Sequence, residues 1–294
     1  MASVSYPVAG RVVLVTGAAR GIGLDAVQRL HARGANVALV GLEPELLEQR
    51  ASELGERAAW FECDVTHQDT LQAAVDGTVA RFGGLDVVIA NAGVAPVGTV
   101  LTIDPADFER TIEVNLLGVW RTIRAALPHV VQRRGYVLPI ASLAAAVHAP
   151  LMAPYTASKA AVEAFADSLR AELAPTGTKV GCAYFGFIDT DMVREARDHP
   201  ATRSMRSRPG GPDSAVPVGV AGEAIARGVE RRARWVYAPR WVPAVLYARG
   251  LLTPIYGRLA RDPRVRESIR IAEEQPRGPG SGDLAPSRTP SKSA

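Results

Sequence analysis

Tyr155 and Lys159 stand four residues apart in Pro154-Tyr155-Thr156-Ala157-Ser158-Lys159, and Ser142 precedes the tyrosine by thirteen. A phenol can give or take a proton, a nearby ammonium favours the phenolate, and a hydroxyl can hold a carbonyl oxygen in line. Residues i and i+4 share one helical face, so Tyr155 and Lys159 can point into a single pocket. A Tyr/Lys pair at this spacing recurs often by chance. Its register with Ser142 and with an early glycine-rich run, Thr16-Gly17-Ala18-Ala19-Arg20-Gly21-Ile22-Gly23, makes it specific. Glycines there let the backbone turn sharply and approach a pyrophosphate, while a helix opening at Gly21 offers free N–H groups and a favourable dipole.

These groups need rigid elements to position them. Short apolar runs at 11–16, 36–40, 59–63, 86–90, 136–140, 180–185 and 235–238 read as strands, mostly solid enough for burial on both faces. Amphipathic stretches after Gly21 and at 44–54, 68–81, 105–133, 155–173 and 220–232 read as helices. The alternation predicts an α/β fold with a doubly wound parallel sheet of about seven strands flanked by helices. The glycine run then lies between a strand and a helix, the context that such a motif requires.

The chain has 294 residues, 47% of them hydrophobic, and a formal charge of +4. The arginines are scattered, and no basic face with a recognition motif points to nucleic acid. Cys63 and Cys182 sit at apolar runs and read as buried thiols, and the five histidines are too isolated for a metal site. The N-terminal residues lack an apolar leader, so the expected location is cytoplasmic. Residues 194–216, rich in Pro, Gly, Arg and Ser, read as a long loop placed to act as a substrate lid or as a plain insertion. Residues 1–240 form the expected catalytic domain, 241–274 an apolar and basic arm, and 275–294 a disordered tail. The arm is too broken for a membrane span. Two readings of it stay open: a cover over the site or a partner subunit, and weak membrane-surface association through 241–270.

With Asn91-Ala92-Gly93 after the fourth strand, the GxxxGxG spacing and the Tyr155/Lys159 pair, the chain resembles the short-chain dehydrogenase/reductase family over about residues 8–240. The resemblance implies a Rossmann-type single domain, NAD(P)-dependent oxidoreductase activity and a homodimer or homotetramer paired through the helices at 105–133 and 155–173. It carries Asp64 and Val65 onto the adenine contact, and Asn91, Ala92 and Gly93 onto the loop beside the adenosine. Gly186, Ile188 and Thr190 fall on the segment that holds the carboxamide. Lys159 would also bond the nicotinamide ribose, and Asn115 would hold a water in a proton relay to Lys159. The family commonly has Pro where this chain has Phe185.

Tyr155 is thus expected to act as general acid in reduction and general base in oxidation, tuned by Lys159, with Ser142 aligning the substrate oxygen. The family's NAD-binding Asp would align with Gly41, which lacks an acid. Arg20 suits a 2′-phosphate, whereas Glu43 could reach a ribose hydroxyl. The balance favours NADP(H) and leaves NAD(H) open. Ala144, Val147, His148 and Met152, with Phe187 and Met192 opposite, occupy positions where relatives line the substrate pocket. Their apolar character favours a lipophilic alcohol or ketone. A non-catalytic nucleotide-binding regulator, or an epimerase or dehydratase using the same Tyr/Lys pair, remain the alternative functions.

Overall fold

The computed structural model describes residues 6–203, 205, 214–251, 258 and 261–274; the expected tail at 275–294 lies outside them. Strands β1 (Val12–Thr16), β2 (Asn36–Gly41), β3 (Ala58–Glu62), β4 (Val87–Ala90), β5 (Tyr136–Pro139) and β6 (Lys179–Val180) form one sheet, in the order β3-β2-β1-β4-β5-β6. Each of its pairings is parallel. Strands β7 (Cys182–Phe185) and β8 (Trp235–Ala238) pair in parallel beside it. The order reverses between β1 and β4, which opens a crevice at the carboxyl ends of those strands.

The strand expected at 180–185 is split at Gly181. Its N–H still bonds the Val137 carbonyl on β5, while Cys182 turns to bond Arg234 before β8. A Cβ at 181 would meet the Tyr136 hydroxyl and the Ala233 carbonyl at 2.1 and 2.4 Å. Those two groups bond one another at 2.7 Å, so glycine is required where the chain passes between them. A parallel bridge between Ile140 and Ala183 keeps β7 in line with β5.

Helices cover both faces: α1 (Gly21–Ala32), α2 (Pro44–Leu54), α3 (Gln68–Phe82), α4 (Pro105–Ile112), α5 (Gly118–Gln132) and α6 (Ala153–Leu173). The helix expected over 105–133 is interrupted by a π-helical turn at Glu113–Leu117. Two apolar layers, one on each face of the sheet, bury Leu14, Val88 and Val137 on one side and Val13, Ile89 and Leu138 on the other, the alternation that strand geometry imposes.

The loop expected from residue 194 is instead helical at its start, as α7 (Asp191–Asp198) and α8 (Pro200–Arg203). Thr190 caps α7 by accepting from the Val193 N–H, and Pro200 suits the first turn of α8. Helix α9 (Val218–Arg231) packs on α1 through Arg29, Arg33 and Glu223. The arm contributes α10 (Val242–Ala248) and α11 (Pro263–Glu274). Among the described residues, no helix is long and apolar enough to cross a membrane.

Candidate active site

Lys159 is buried with 4% of its surface exposed. Its Nζ donates to the Ile140 carbonyl at 2.8 Å. That carbonyl is held in place from both sides. The Ile140 N–H bonds Ala90 on β4, and the next N–H, on Ala141, bonds Ala183 on β7. Burial disfavours the charged amine and pulls its pKa down to about 8. The ammonium lies 5.7 Å from the centre of the Tyr155 ring, as one turn of α6 dictates. Burial raises the Tyr155 pKa, and a hydrogen bond with Ser142 opposes the rise.

Ser142 ends the extended segment after β5. Its hydroxyl accepts from the Ala144 N–H and donates to the Phe185 carbonyl at 3.3 Å. Phe185 therefore serves the serine with its backbone carbonyl. Ser142, Tyr155 and Lys159 form one cluster that can hold an oxygen and move a proton.

Asn115 is fully buried in the π-helical turn. Its amide accepts from the Val94 N–H at 2.8 Å, donates to the Val94 carbonyl at 2.9 Å and donates to the Ser158 hydroxyl at 3.1 Å. Ser158 in turn donates to the Tyr155 carbonyl. Asn115 thus ties the loop after β4 to α6 and makes no direct bond to Lys159. Sequence reasoning passed over Ser158; its signal was a hydroxyl on the inward face of α6 next to the lysine. The Ile140 and Val94 backbone groups carry no signal in residue type.

At the other end of the cleft, the Thr16 hydroxyl accepts from the N–H groups of Asn91 and Ala92, and the Asn91 amide donates to the carbonyls of Thr16 and Gly17. The glycine run is thereby locked to the loop carrying Gly93. Gly17 and Gly21 have φ of +64° and +57°, which glycine adopts freely. A Cβ on Gly23 would fall 2.2 Å from the Gly17 carbonyl, so the loop closes only around glycine. Ala19 is buried beneath the run, and Ile22 is half-buried.

A pyridine dinucleotide fits this construction. Helix α1 begins without a side-chain cap and without an acid in its first turn, leaving its N–H groups and dipole for an anion. Among the described residues, a Cβ at Gly21 would have only Thr190 within 4 Å, which leaves room beside this edge of the run. Gly41 ends β2, and Glu43 precedes α2 and forms an ion pair with Arg20. Arg20 also lies 3.9 Å from Asp191. Asp64, after β3, is bonded by Thr66, and Val65 beside it is buried.

Beyond Ser142, Ala144, Val147 and Met152 are half-buried, whereas His148 is exposed. Gly186 continues from β7, bonding the Ala238 carbonyl, and Ile188 is buried and bridged to Val216. Phe187 is exposed and Met192 half-buried. Both cysteines are buried free thiols, and the described residues hold no cluster of metal ligands.

Residues 11–201 match the sequence model of the family described as short chain dehydrogenase. The chain is 34% identical to a nodulation protein G of Rhizobium sp. (strain N33) over 69% of its own length and 84% of that protein's. It is 36% identical to a 3-alpha-(or 20-beta)-hydroxysteroid dehydrogenase of Mycobacterium bovis, over 63% of this chain and 71% of the relative. The crystal structure of a 3-ketoacyl-(acyl-carrier-protein) reductase from Brucella melitensis, complexed with NADH, superposes with a TM-score of 0.69 at 25% identity. It covers 79% of this chain and 97% of that one.

Replacing Asn115 by Leu keeps the side chain's bulk but leaves the Val94 N–H and carbonyl without partners, at about 1–3 kcal/mol for each buried group. The urea midpoint of Asn115→Leu is expected to fall accordingly. An unchanged midpoint would show that Asn115 does not tie the two segments together.

Proposed function

This chain belongs to the short-chain dehydrogenase family, and from that premise we propose that it interconverts a lipophilic secondary alcohol and its ketone, or a primary alcohol and its aldehyde. A nicotinamide cofactor supplies the hydride in one direction and accepts it in the other. The observation that carries the reading is the buried Lys159 ammonium on the same helical face as a phenol that bonds Ser142. Nothing structural requires such an amine to be buried. Ser142 holds the substrate oxygen, Tyr155 gives it a proton in reduction and takes one away in oxidation, and Lys159 keeps the phenolate accessible. Thr16, Gly17, Gly21 and Gly23 would shape the loop that holds the pyrophosphate, and Ile188 and Thr190 would hold the carboxamide.

Two supports favour a lipophilic substrate. The segment from Leu143 to Met152 is mostly apolar and buried or half-buried, and one relative at 36% identity is a hydroxysteroid dehydrogenase. Apolar pockets discriminate by only about 1–3 kcal/mol per methylene, so a family of related ketones is expected to react. Tyr155→Phe should lose turnover by at least about a hundredfold while still binding cofactor, as followed by nucleotide fluorescence. Near-normal turnover would remove Tyr155 as the proton donor.

The lysine's lowered pKa gives the pH profile a direction. The amine is the first of the two to lose its proton, near the value of about 8 to which burial brings it, after which it can accept the proton that Tyr155 takes from an alcohol. Alcohol oxidation needs the deprotonated pair and should climb as pH rises through that region, while ketone reduction should decline. In Lys159→Arg only the phenol can release a proton, and burial raises its pKa, so the oxidation limb should move upward. A limb that stays in place would dissociate Lys159 from it.

For the cofactor we favour NADP(H), with Arg20 on the 2′-phosphate. In the free protein Glu43 occupies that guanidinium and would repel the phosphate. Both side chains are partly solvated, so the effect is modest. Glu43→Gln should lower KM for NADP(H) by roughly threefold or more without improving NAD(H). An unchanged ratio between the two cofactors would place the 2′ position elsewhere.

A further inference from the structure

The family match covers residues 11–201, and a helix more than sixty residues later, α11, packs against α8. Its buried positions, Val265, Ser268 and Ala272, recur at helical spacing on one face. Ala272 shares a separate apolar cluster with Val97, Leu151 and Ala201, against which Ile269 and Met205 also pack. Val97 follows β4 by seven residues, Leu151 precedes Tyr155 by four, and Ala201 belongs to α8, beyond β7. The chain therefore brings together at one point the segments that leave the carboxyl ends of β4, β5 and β7, where an open α/β sheet binds ligands.

Polar bonds fix the same junction. The Gly98 N–H bonds the Leu151 carbonyl at 3.0 Å, and the Thr102 hydroxyl donates to the Ala272 carbonyl at 3.3 Å. Small residues, Ala201 with no exposed surface and Ala272 with 4%, let α8 and α11 approach closely. This cluster is separate from the two layers that stabilise the sheet, and its buried members belong neither to the glycine run nor to the Ser142, Tyr155 and Lys159 group.

We propose that α11 is a clamp that holds α7 and α8 down over the substrate cleft and so sets the size of substrate that this enzyme accepts. Ala272 and Ile269 are positioning residues: they act through Ala201 and Leu151, not by touching the reacting atoms. Rigid closure penalises substrates that are too large for the enclosed space and rewards those that fill it. The clamp lies outside residues 11–201, the span that the family model matches. The proposal rests on the dehydrogenase reading for its effect on selectivity, but not for its effect on the mobility of α7 and α8.

The test uses the full chain with Ala272→Phe, which inserts a ring between α11 and α8, and Ile269→Ala, which loosens the cluster. Two measurements are made. Hydrogen exchange of residues 191–203 should quicken by about tenfold or more in both variants, with the sheet unchanged. Reduction of cyclohexanone, a decalone and a 3-ketosteroid, each with saturating cofactor, should show an altered size ranking. The ratio of kcat/KM between steroid and cyclohexanone should shift by about tenfold while the cofactor Kd stays constant. Unaltered exchange in 191–203 would overturn the clamp whatever the turnover. Quickened exchange with one uniform factor across the three ketones would overturn its role in selectivity. Absence of turnover by the unmodified protein would count against the dehydrogenase reading, with the exchange result still deciding on the clamp.

Discussion

A primary ammonium enclosed by protein and bonded to one backbone carbonyl is the constraint around which this structure is arranged. Desolvating such a charge costs several kcal/mol, and the Ile140 carbonyl offsets part of that. The remainder appears as a lowered proton affinity, which brings the amine into the range where proton transfer is useful. The carbonyl can do this only because its own strand is pinned on both sides, to Ala90 and to Ala183. The central strands thus orient a chemical group as well as forming a core.

The same economy of means appears at the glycine run. Thr16 and Asn91 bind backbone groups of each other's loops across the point where the strand order reverses. One set of contacts closes the sheet and shapes the cleft. Asn115 repeats the device on the other side, using a π-helical turn to aim its amide at Val94 and Ser158. A regular α-helix advances about 100° per residue; the wider turn changes that register locally. Such turns are frequent at functional sites.

The two ends of the cleft are also linked through α7. Thr190 lies against Gly21, and Asp191 approaches Arg20, so the first turn of α7 sits on the glycine run. Helix α8, which follows, is held by α11. The segment after β7 is therefore fastened at its start to the glycine run and at its end to the C-terminal helix.

Much was legible in the residue pattern. Alternation of apolar runs with amphipathic stretches specifies a parallel sheet with covering helices, because strands buried on both faces need continuous apolar sequence. The glycine run, the Tyr155/Lys159 spacing and Ser142 could be read because local geometry alone relates them. Other features were decided only by contacts between distant segments. Gly181 splits a strand because Tyr136 and Ala233 meet beside it. Residues 191–198 are helical because Thr190 caps them, against a composition nearby that reads as loop. Lys159 is buried because a carbonyl nineteen residues earlier in sequence faces it, and α11 joins Val97, Leu151 and Ala201 in one apolar cluster. Sequence spacing determines what one element presents on its own face; backbone carbonyls, which every residue carries alike, become specific partners only when folding brings them to a particular side chain.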